Sequence, residues 1–112
     1  ARHGLVVVAP CNWIHVLEWL RRFPALRLLV VEPWPDALNE QMRHGCFLHR
    51  LPWDAVVTVA DERIPRWRER CGEVLAEWKK AGCEPRFFTP ARVKDLEDVC
   101  ALRAEVEALA AH

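Results

Sequence analysis

Three short, mostly apolar runs place the strongest constraint on how this chain can fold. They span residues 5–9, 28–31 and 55–60, and each is rich in valine or leucine without regular polar alternation. The first two runs are typical of strands that are buried on both faces, as in parallel sheets covered by helices. The third run predicts the clearest strand of the chain. The sequence therefore predicts a layered α/β arrangement.

Segments with helical periodicity lie between and after these runs. Helices are predicted over residues 12–24 and about 35–45, bounded by an N-cap, prolines and a glycine. Steps of three and four residues predict a third helix through Ile64, Trp67, Cys71, Val74 and Trp78. A weaker fourth strand over residues 86–88 precedes a last helix, with Thr89 as its N-cap and Pro90 in its first position.

This alternation of strand and helix predicts a single Rossmann-like domain over residues 1–112. The expected architecture is a small doubly wound α/β fold, with a mostly parallel four-stranded sheet and helices on both faces. The chain has 112 residues, of which 52% are hydrophobic and 29% charged. That composition supplies enough apolar side chains for one core and is unlike that of a disordered tail.

Charge and cysteine content limit the classes of function. Sixteen Lys and Arg residues balance sixteen Asp and Glu residues, so no excess positive charge serves generic binding of nucleic acid or acidic membranes. No apolar stretch reaches the ~18 residues of a membrane span, and no cleavage pattern follows the first residues. Five cysteines without close-spaced pairs favour a reducing compartment. We therefore expect a cytoplasmic protein.

Polar residues that follow the predicted strands are candidates for a binding site. Ligands of open parallel sheets collect at the carboxyl ends of the strands, where helix N-termini supply free N–H groups. The candidates at this edge are Cys11, Asn12, His15, Glu32, Asp36, Asp61, Glu62 and Thr89. An acid at the end of the second strand, here Glu32, is placed to accept hydrogen bonds from the ribose hydroxyls of a nucleotide.

Four stretches resemble the class I S-adenosylmethionine-dependent methyltransferase family. Gly4-Leu5-Val6-Val7-Val8 is similar to that family's first strand, and Val30-Val31-Glu32-Pro33 to its segment with the ribose-binding acid. Residues 51–57 are similar to a later core strand, and residues 77–82 to the helix before a glycine turn. The resemblance implies S-adenosylmethionine or another adenosine nucleotide as cofactor. The polar residues predicted to surround it are Asn12, Glu32, Asp36, Asp61 and Glu62.

The segment after the first predicted strand bears on the choice between binding and catalysis. The methyltransferase family has a glycine-rich loop there, whereas this chain reads Ala9-Pro10-Cys11-Asn12-Trp13. Without glycine, the backbone has less freedom to approach a cofactor closely. The leading interpretation is a small ligand-binding or protein-interaction module without catalysis of its own. A reduced methyltransferase-like enzyme is the alternative.

Cys11 and His15 provide a second enzymatic alternative. A thiol that follows a buried strand at a helix N-terminus can be activated by the helix dipole, and His15 lies one helical turn further on. This arrangement is typical of a nucleophilic cysteine in a transferase. The competing interpretation is that Cys11 fills a tight turn between strand and helix.

The acidic residues also resemble those of the Toprim domain, whose carboxylates bind magnesium for phosphoryl transfer. Its three acidic stretches are similar to residues 32–38, to residues 59–61 and to residues 94–98. Arg63 stands in the position of the second acid of the paired motif, and a cation there opposes metal binding.

His44, Cys46 and His49 are possible zinc ligands that lie close together in the sequence. Their spacing is unspecific, and a fourth ligand would have to come from elsewhere in the chain. No metal site is therefore predicted.

Tryptophans and the last helix are candidate contacts for a protein partner. Trp34 and Trp53 lie near predicted loops, where tryptophans serve as binding anchors. Tryptophans at core-type helical positions are Trp13, Trp19, Trp67 and Trp78. An a/d spacing in the last helix is formed by Val99, Leu102, Val106 and Leu109. We expect this face to pack on the sheet, with a homodimer or a larger partner protein as the alternative.

Overall fold

The structure, a computed structural model, describes residues 3–10, 22, 27–36, 56–61, 63–64, 66–90 and 94–111. The elements bounded within these ranges are β1 (His3–Val8), β2 (Arg27–Glu32), β3 (Val56–Val59), α1 (Trp67–Lys80), β4 (Glu84–Phe88) and α2 (Glu97–Ala110). The strands form a four-stranded sheet in the order β3-β2-β1-β4, and every neighbouring pair is parallel. The prediction of a small parallel α/β fold is confirmed.

The first two predicted helices fall mostly outside the described residues. Arg22, within the first, and Pro35 and Asp36, at the start of the second, are helical. The presence of helices on both faces of the sheet therefore stays a prediction.

The two central strands, β1 and β2, are buried on both faces. One face joins α1 and α2 in a continuous apolar cluster, to which the strands contribute Val6, Val8, Leu29 and Val31. Side chains alternate along a strand, so Val7 and Val30 point to the opposite face, and they too have no exposed surface. Burial on both faces, as predicted from the apolar runs, is confirmed for these strands.

Helix α1 approaches the sheet through a contact between Trp78 and Gly4. Trp78 is 6% exposed, and a Cβ atom at position 4 would lie closer than 3.0 Å to three carbon atoms of the indole ring. Side-chain carbons do not approach one another so closely in a packed core. Glycine at this position therefore permits the indole ring to lie against β1.

Helix α1 ends in a Schellman motif. Gly82 adopts a left-handed conformation with φ of 71°, which glycine accepts without steric cost. The N–H of Gly82 donates to the carbonyl of Lys79 at 3.1 Å, and the N–H of Cys83 donates to the carbonyl of Trp78 at 2.8 Å. This pair of bonds satisfies carbonyls at the helix end and directs the chain into β4.

The predicted start of the third helix at Ile64 is wrong, since α1 begins at Trp67. Ile64 closes a turn in which its N–H donates to the carbonyl of Asp61 at 2.7 Å. Its side chain is 43% exposed and does not extend the apolar face of the helix. The turn takes precedence because Asp61 also holds Arg63 through its side chain.

The predicted start of the last helix at Thr89 and Pro90 is also wrong, since α2 begins at Glu97. Leu96, at the N-cap, has an extended backbone with ψ of 131°, which separates α2 from the turn in which Lys94 N–H donates to Pro90 at 3.0 Å. Thr89 does not cap this helix. It is buried, and its hydroxyl accepts a hydrogen bond from the Arg103 side chain instead.

Strand β4 starts at Glu84, two residues before the predicted start, and includes Pro85. Among the described strands, β4 lies at one edge of the sheet. Proline is tolerated in an edge strand because its missing N–H need not leave a gap in the sheet.

The apolar face of α2 packs within the core that it shares with β1 and α1. Val99, Leu102 and Val106 are 1%, 8% and 0% exposed, and Leu109 is half-buried against the same cluster. The prediction that these residues pack inside the domain is confirmed. Neither of the two bounded helices has the length and apolar character needed to cross a membrane.

Replacing Gly4 with alanine is expected to lower the free energy of unfolding by about 1–3 kcal/mol, because the added methyl group overpacks the contact with Trp78. Gly72 provides the matched control, since it lies within α1 and a Cβ there meets nothing within 4 Å. Gly72→Ala should stabilise the protein by about 0.5–1 kcal/mol. Urea unfolding followed by tryptophan fluorescence measures both changes, and stabilisation by Gly4→Ala would contradict the proposed contact.

Candidate functional site

The carboxyl ends of the described strands and the N-termini of α1 and α2 lie along one side of the sheet, here called the carboxyl edge. Four of the predicted site residues are described there: Glu32 ends β2, Asp36 follows it, Asp61 lies two residues after β3, and Thr89 directly follows β4. The other predicted site residues, Cys11, Asn12, His15 and Glu62, lie outside the described residues. Their proposed roles stay predictions.

Glu32 is fully buried, with 0% of its surface exposed. Its backbone carbonyl accepts a hydrogen bond from the N–H of Ala60 at 2.9 Å, which continues the β2–β3 pairing beyond β3. Asp36, four residues further on, is exposed. A ligand that arrives at the end of β2 would therefore meet Asp36 before Glu32.

Ala9, the first residue after β1, has an unusual backbone conformation. Its φ is 57°, in the left-handed region that costs a residue with a Cβ about 1–2 kcal/mol. Ala9 is 0% exposed, and its N–H donates to the carbonyl of Val31 at 2.8 Å. The chain thus makes, with alanine, the kind of turn for which glycine is the usual residue.

Asp61 and Arg63 form a compact ion pair after β3. The carboxylate accepts the backbone N–H of Arg63 at 2.9 Å, its Nε at 3.1 Å and its Nη2 at 2.7 Å. The side chain of Asp61 is 14% exposed, whereas that of Arg63 is 83% exposed. The hydrogen bonds from Arg63, with its positive charge, lower the pKa of Asp61 below its usual 3.8.

Arg63 also links the ends of β2 and β3 electrostatically. Its hydrogen bonds with Asp61 and the charge of that residue raise its pKa, and the charge of Asp36 adds a smaller contribution in the same direction. Asp61 therefore binds Arg63 directly, whereas Asp36 acts on it only through its charge. The Toprim resemblance implies magnesium binding by the carboxylate of Asp61, which instead accepts hydrogen bonds from Arg63. No cluster of three metal-binding side chains is found among the described residues. His44, Cys46 and His49 lie outside them.

A groove of about 350 Å³ runs between the end of β4 and α2. We call it the α2 groove. The residues that line it include Thr89, Lys94, Asp95, Cys100, Arg103 and Glu107. Thr89 is 7% exposed and accepts a hydrogen bond from Nη1 of Arg103 at 3.3 Å. Nε of Arg103 donates to Glu107 at 2.8 Å. The sequence pattern did not single out Arg103, since its position is that of an ordinary charged residue on an amphipathic helix.

The described cysteines are free thiols in two environments. Cys71 and Cys83 are buried, and burial raises the pKa of Cys71 to about 11. Cys71 is therefore a core residue with an unreactive thiol. Cys100 is exposed, and its Sγ donates to the carbonyl of Lys94 at 2.6 Å.

The two tryptophans predicted as helical core residues within the described ranges, Trp67 and Trp78, are buried. Trp34, a predicted partner contact, is half-buried and packs against the core cluster next to the carboxyl edge. Trp13, Trp19 and Trp53 lie outside the described residues.

Comparisons of the chain with protein-family models, curated proteins and solved structures found no match. The resemblances to methyltransferases and to the Toprim domain therefore stay predictions.

Replacing Ala9 with valine is expected to lower the free energy of unfolding by roughly 2–4 kcal/mol, since a β-branched side chain is strained at positive φ and overpacks the core. Ala9→Gly is the matched control. It relieves the left-handed strain but loses a buried methyl group, so the net change should stay within about 1 kcal/mol. Thermal unfolding measures both, and equal stability of the valine variant would argue against a strained turn.

Arg63→Gln should raise the pKa of Asp61 toward 3.8, because it removes the side-chain hydrogen bonds and the charge that lower it. The stabilisation linked to Asp61 is present above pH 3.8 and is lost as the pH falls through its lowered folded-state pKa. NMR titration of the Asp61 carboxyl carbon measures the change. In Arg66→Gln, Glu69 should titrate higher instead, and an Asp61 curve unaltered by Arg63→Gln would refute the pairing.

Proposed function

We propose that this chain binds a small adenosine-containing ligand at its carboxyl edge and serves as a binding module without catalysis of its own. The observation that carries the proposal is the left-handed turn at Ala9, which lies at the end of β1 beside the reversal of strand order between β1 and β4. In open α/β sheets the crevice at such a reversal is the preferred ligand site. Strained backbone also concentrates at ligand sites.

Asp36 is the acid best placed to contact the ribose. It is exposed at the carboxyl edge, whereas Glu32 is fully buried. Carboxylate oxygens accept hydrogen bonds from both hydroxyls of a ribose. The half-buried ring of Trp34, two residues before Asp36, offers an adjacent aromatic surface for a base.

Asp61 fits a binding role better than a catalytic one. Its lowered pKa makes it a poor proton acceptor near neutral pH, where a general base works best. Its hydrogen bonds to Arg63 also occupy both carboxylate oxygens. The pair is suited to shaping the wall of a ligand site.

A cytoplasmic location is part of the same proposal. Its support is that the described cysteines are free, including the exposed Cys100, because free thiols persist in reducing compartments.

Calorimetric titration with adenosine, adenosine 5′-diphosphate and S-adenosylmethionine tests the proposal. At least one compound should bind, and at a hundred times its Kd it should stabilise the protein by about 2.7 kcal/mol in a thermal shift. Asp36→Ala should weaken that binding at least about tenfold, since a charge-assisted hydrogen bond contributes ~1.5–3 kcal/mol.

Glu77→Ala is the matched control, because Glu77 is an exposed acid on α1 away from the carboxyl edge. It should bind like the unaltered protein. Absence of binding by all three compounds, or equal binding by Asp36→Ala, would refute the proposed function.

A further inference from the structure

The α2 groove contains two basic side chains with unused hydrogen-bond donors. Arg103 is held on one side by Thr89 and on the other by Glu107, and its Nη2 has no hydrogen-bond acceptor among the described residues. Lys94 also lines the groove, and its ammonium group likewise has no acceptor in the described part of the chain.

Two hydrogen bonds hold the guanidinium group of Arg103 in a fixed orientation, so that its remaining N–H groups are preorganised to donate to a ligand. Its side chain is 38% exposed, and two of its three guanidinium nitrogens are already fixed by hydrogen bonds within the protein. A side chain held in its bound orientation loses less entropy when a ligand arrives. Guanidinium groups with free N–H donors favour phosphate and carboxylate oxygens.

The position of the groove relates it to the proposed adenosine site. Thr89 directly follows β4, while Asp36 follows β2, and β1 lies between these strands. Strands in a sheet are about 4.8 Å apart, so the ends of β2 and β4 are separated by roughly 10 Å. A ribose with a 5′-phosphate chain extends further across this edge than adenosine does.

We infer that the α2 groove binds the phosphate chain of the ligand, through Arg103 and Lys94, while its ribose lies near Asp36. This inference rests on the proposed function and narrows the ligand to an adenosine nucleotide with a 5′-phosphate chain. Glu107 is already paired with Arg103. Asp95, which also lines the groove, opposes the anion and so provides a test of opposite sign.

The experiment compares adenosine with adenosine 5′-diphosphate by calorimetric titration. The diphosphate should bind at least about tenfold more tightly, and this advantage should shrink at high salt. Arg103→Gln and Lys94→Ala should each reduce the advantage and leave adenosine binding unchanged. Asp95→Asn should increase it about two- to fivefold, because one opposing charge is removed.

Arg70→Gln is the matched control, since Arg70 is an exposed arginine on α1 paired with Glu73; it should change neither affinity. Equal affinity for the two compounds in the unaltered protein would overturn the inference while adenosine binding sustains the proposed function. An advantage that survives both Arg103→Gln and Lys94→Ala would also overturn it. If neither compound binds, the inference and the proposed function both fail.

Discussion

The contact between the Trp78 ring and Gly4 sets the distance at which α1 packs against the sheet. The absence of a side chain at Gly4 lets a large ring lie directly against the central strand β1. About one turn earlier in α1, Val74 belongs to the same apolar cluster as Val6 and Val8. The cluster also includes residues of α2, so the spacing between α1 and β1 affects the whole of this helical layer.

The carboxyl edge is formed by several turns at the ends of strands rather than by a single loop, and the packing of α1 on the sheet holds these turns in place. The Schellman turn at Gly82 directs α1 into β4, which brings Thr89 to the carboxyl edge beside the left-handed turn at Ala9. Asp61 and its partner Arg63 form the corresponding end of β3. The charged side chains at this edge therefore follow two different strands, Asp36 after β2 and both Asp61 and Arg63 after β3, and the pairing of the strands sets their relative positions.

Much of the fold follows from local patterns in the sequence. The apolar runs predicted β1 and β2 because burial on both faces leaves a continuous apolar signal. The run of β3 predicted a strand as well, although among the described strands β3 lies at an edge of the sheet, and helical spacing predicted the core faces of α1 and α2. The predicted start of α1 was wrong because a local turn between Asp61 and Ile64 precedes the helix. The predicted start of α2 was wrong because it depends on a contact distant in sequence: Thr89 is held by Arg103, fourteen residues away.

The candidate site was less predictable for the same reason. The rule for parallel sheets located Asp36 and Asp61 at the carboxyl edge. A pattern of residue types does not show that Glu32 is fully buried or that Arg63 forms hydrogen bonds with the carboxylate of Asp61.

Amide chemical-shift mapping by NMR during titration with adenosine 5′-diphosphate tests most directly whether a nucleotide binds at the carboxyl edge. The account predicts saturable shifts at the carboxyl edge, in Ala9, Asp36 and Thr89. Shifts confined to the groove at the opposite edge of the sheet, around Gly82 and Glu84, or no shifts at all, would contradict it.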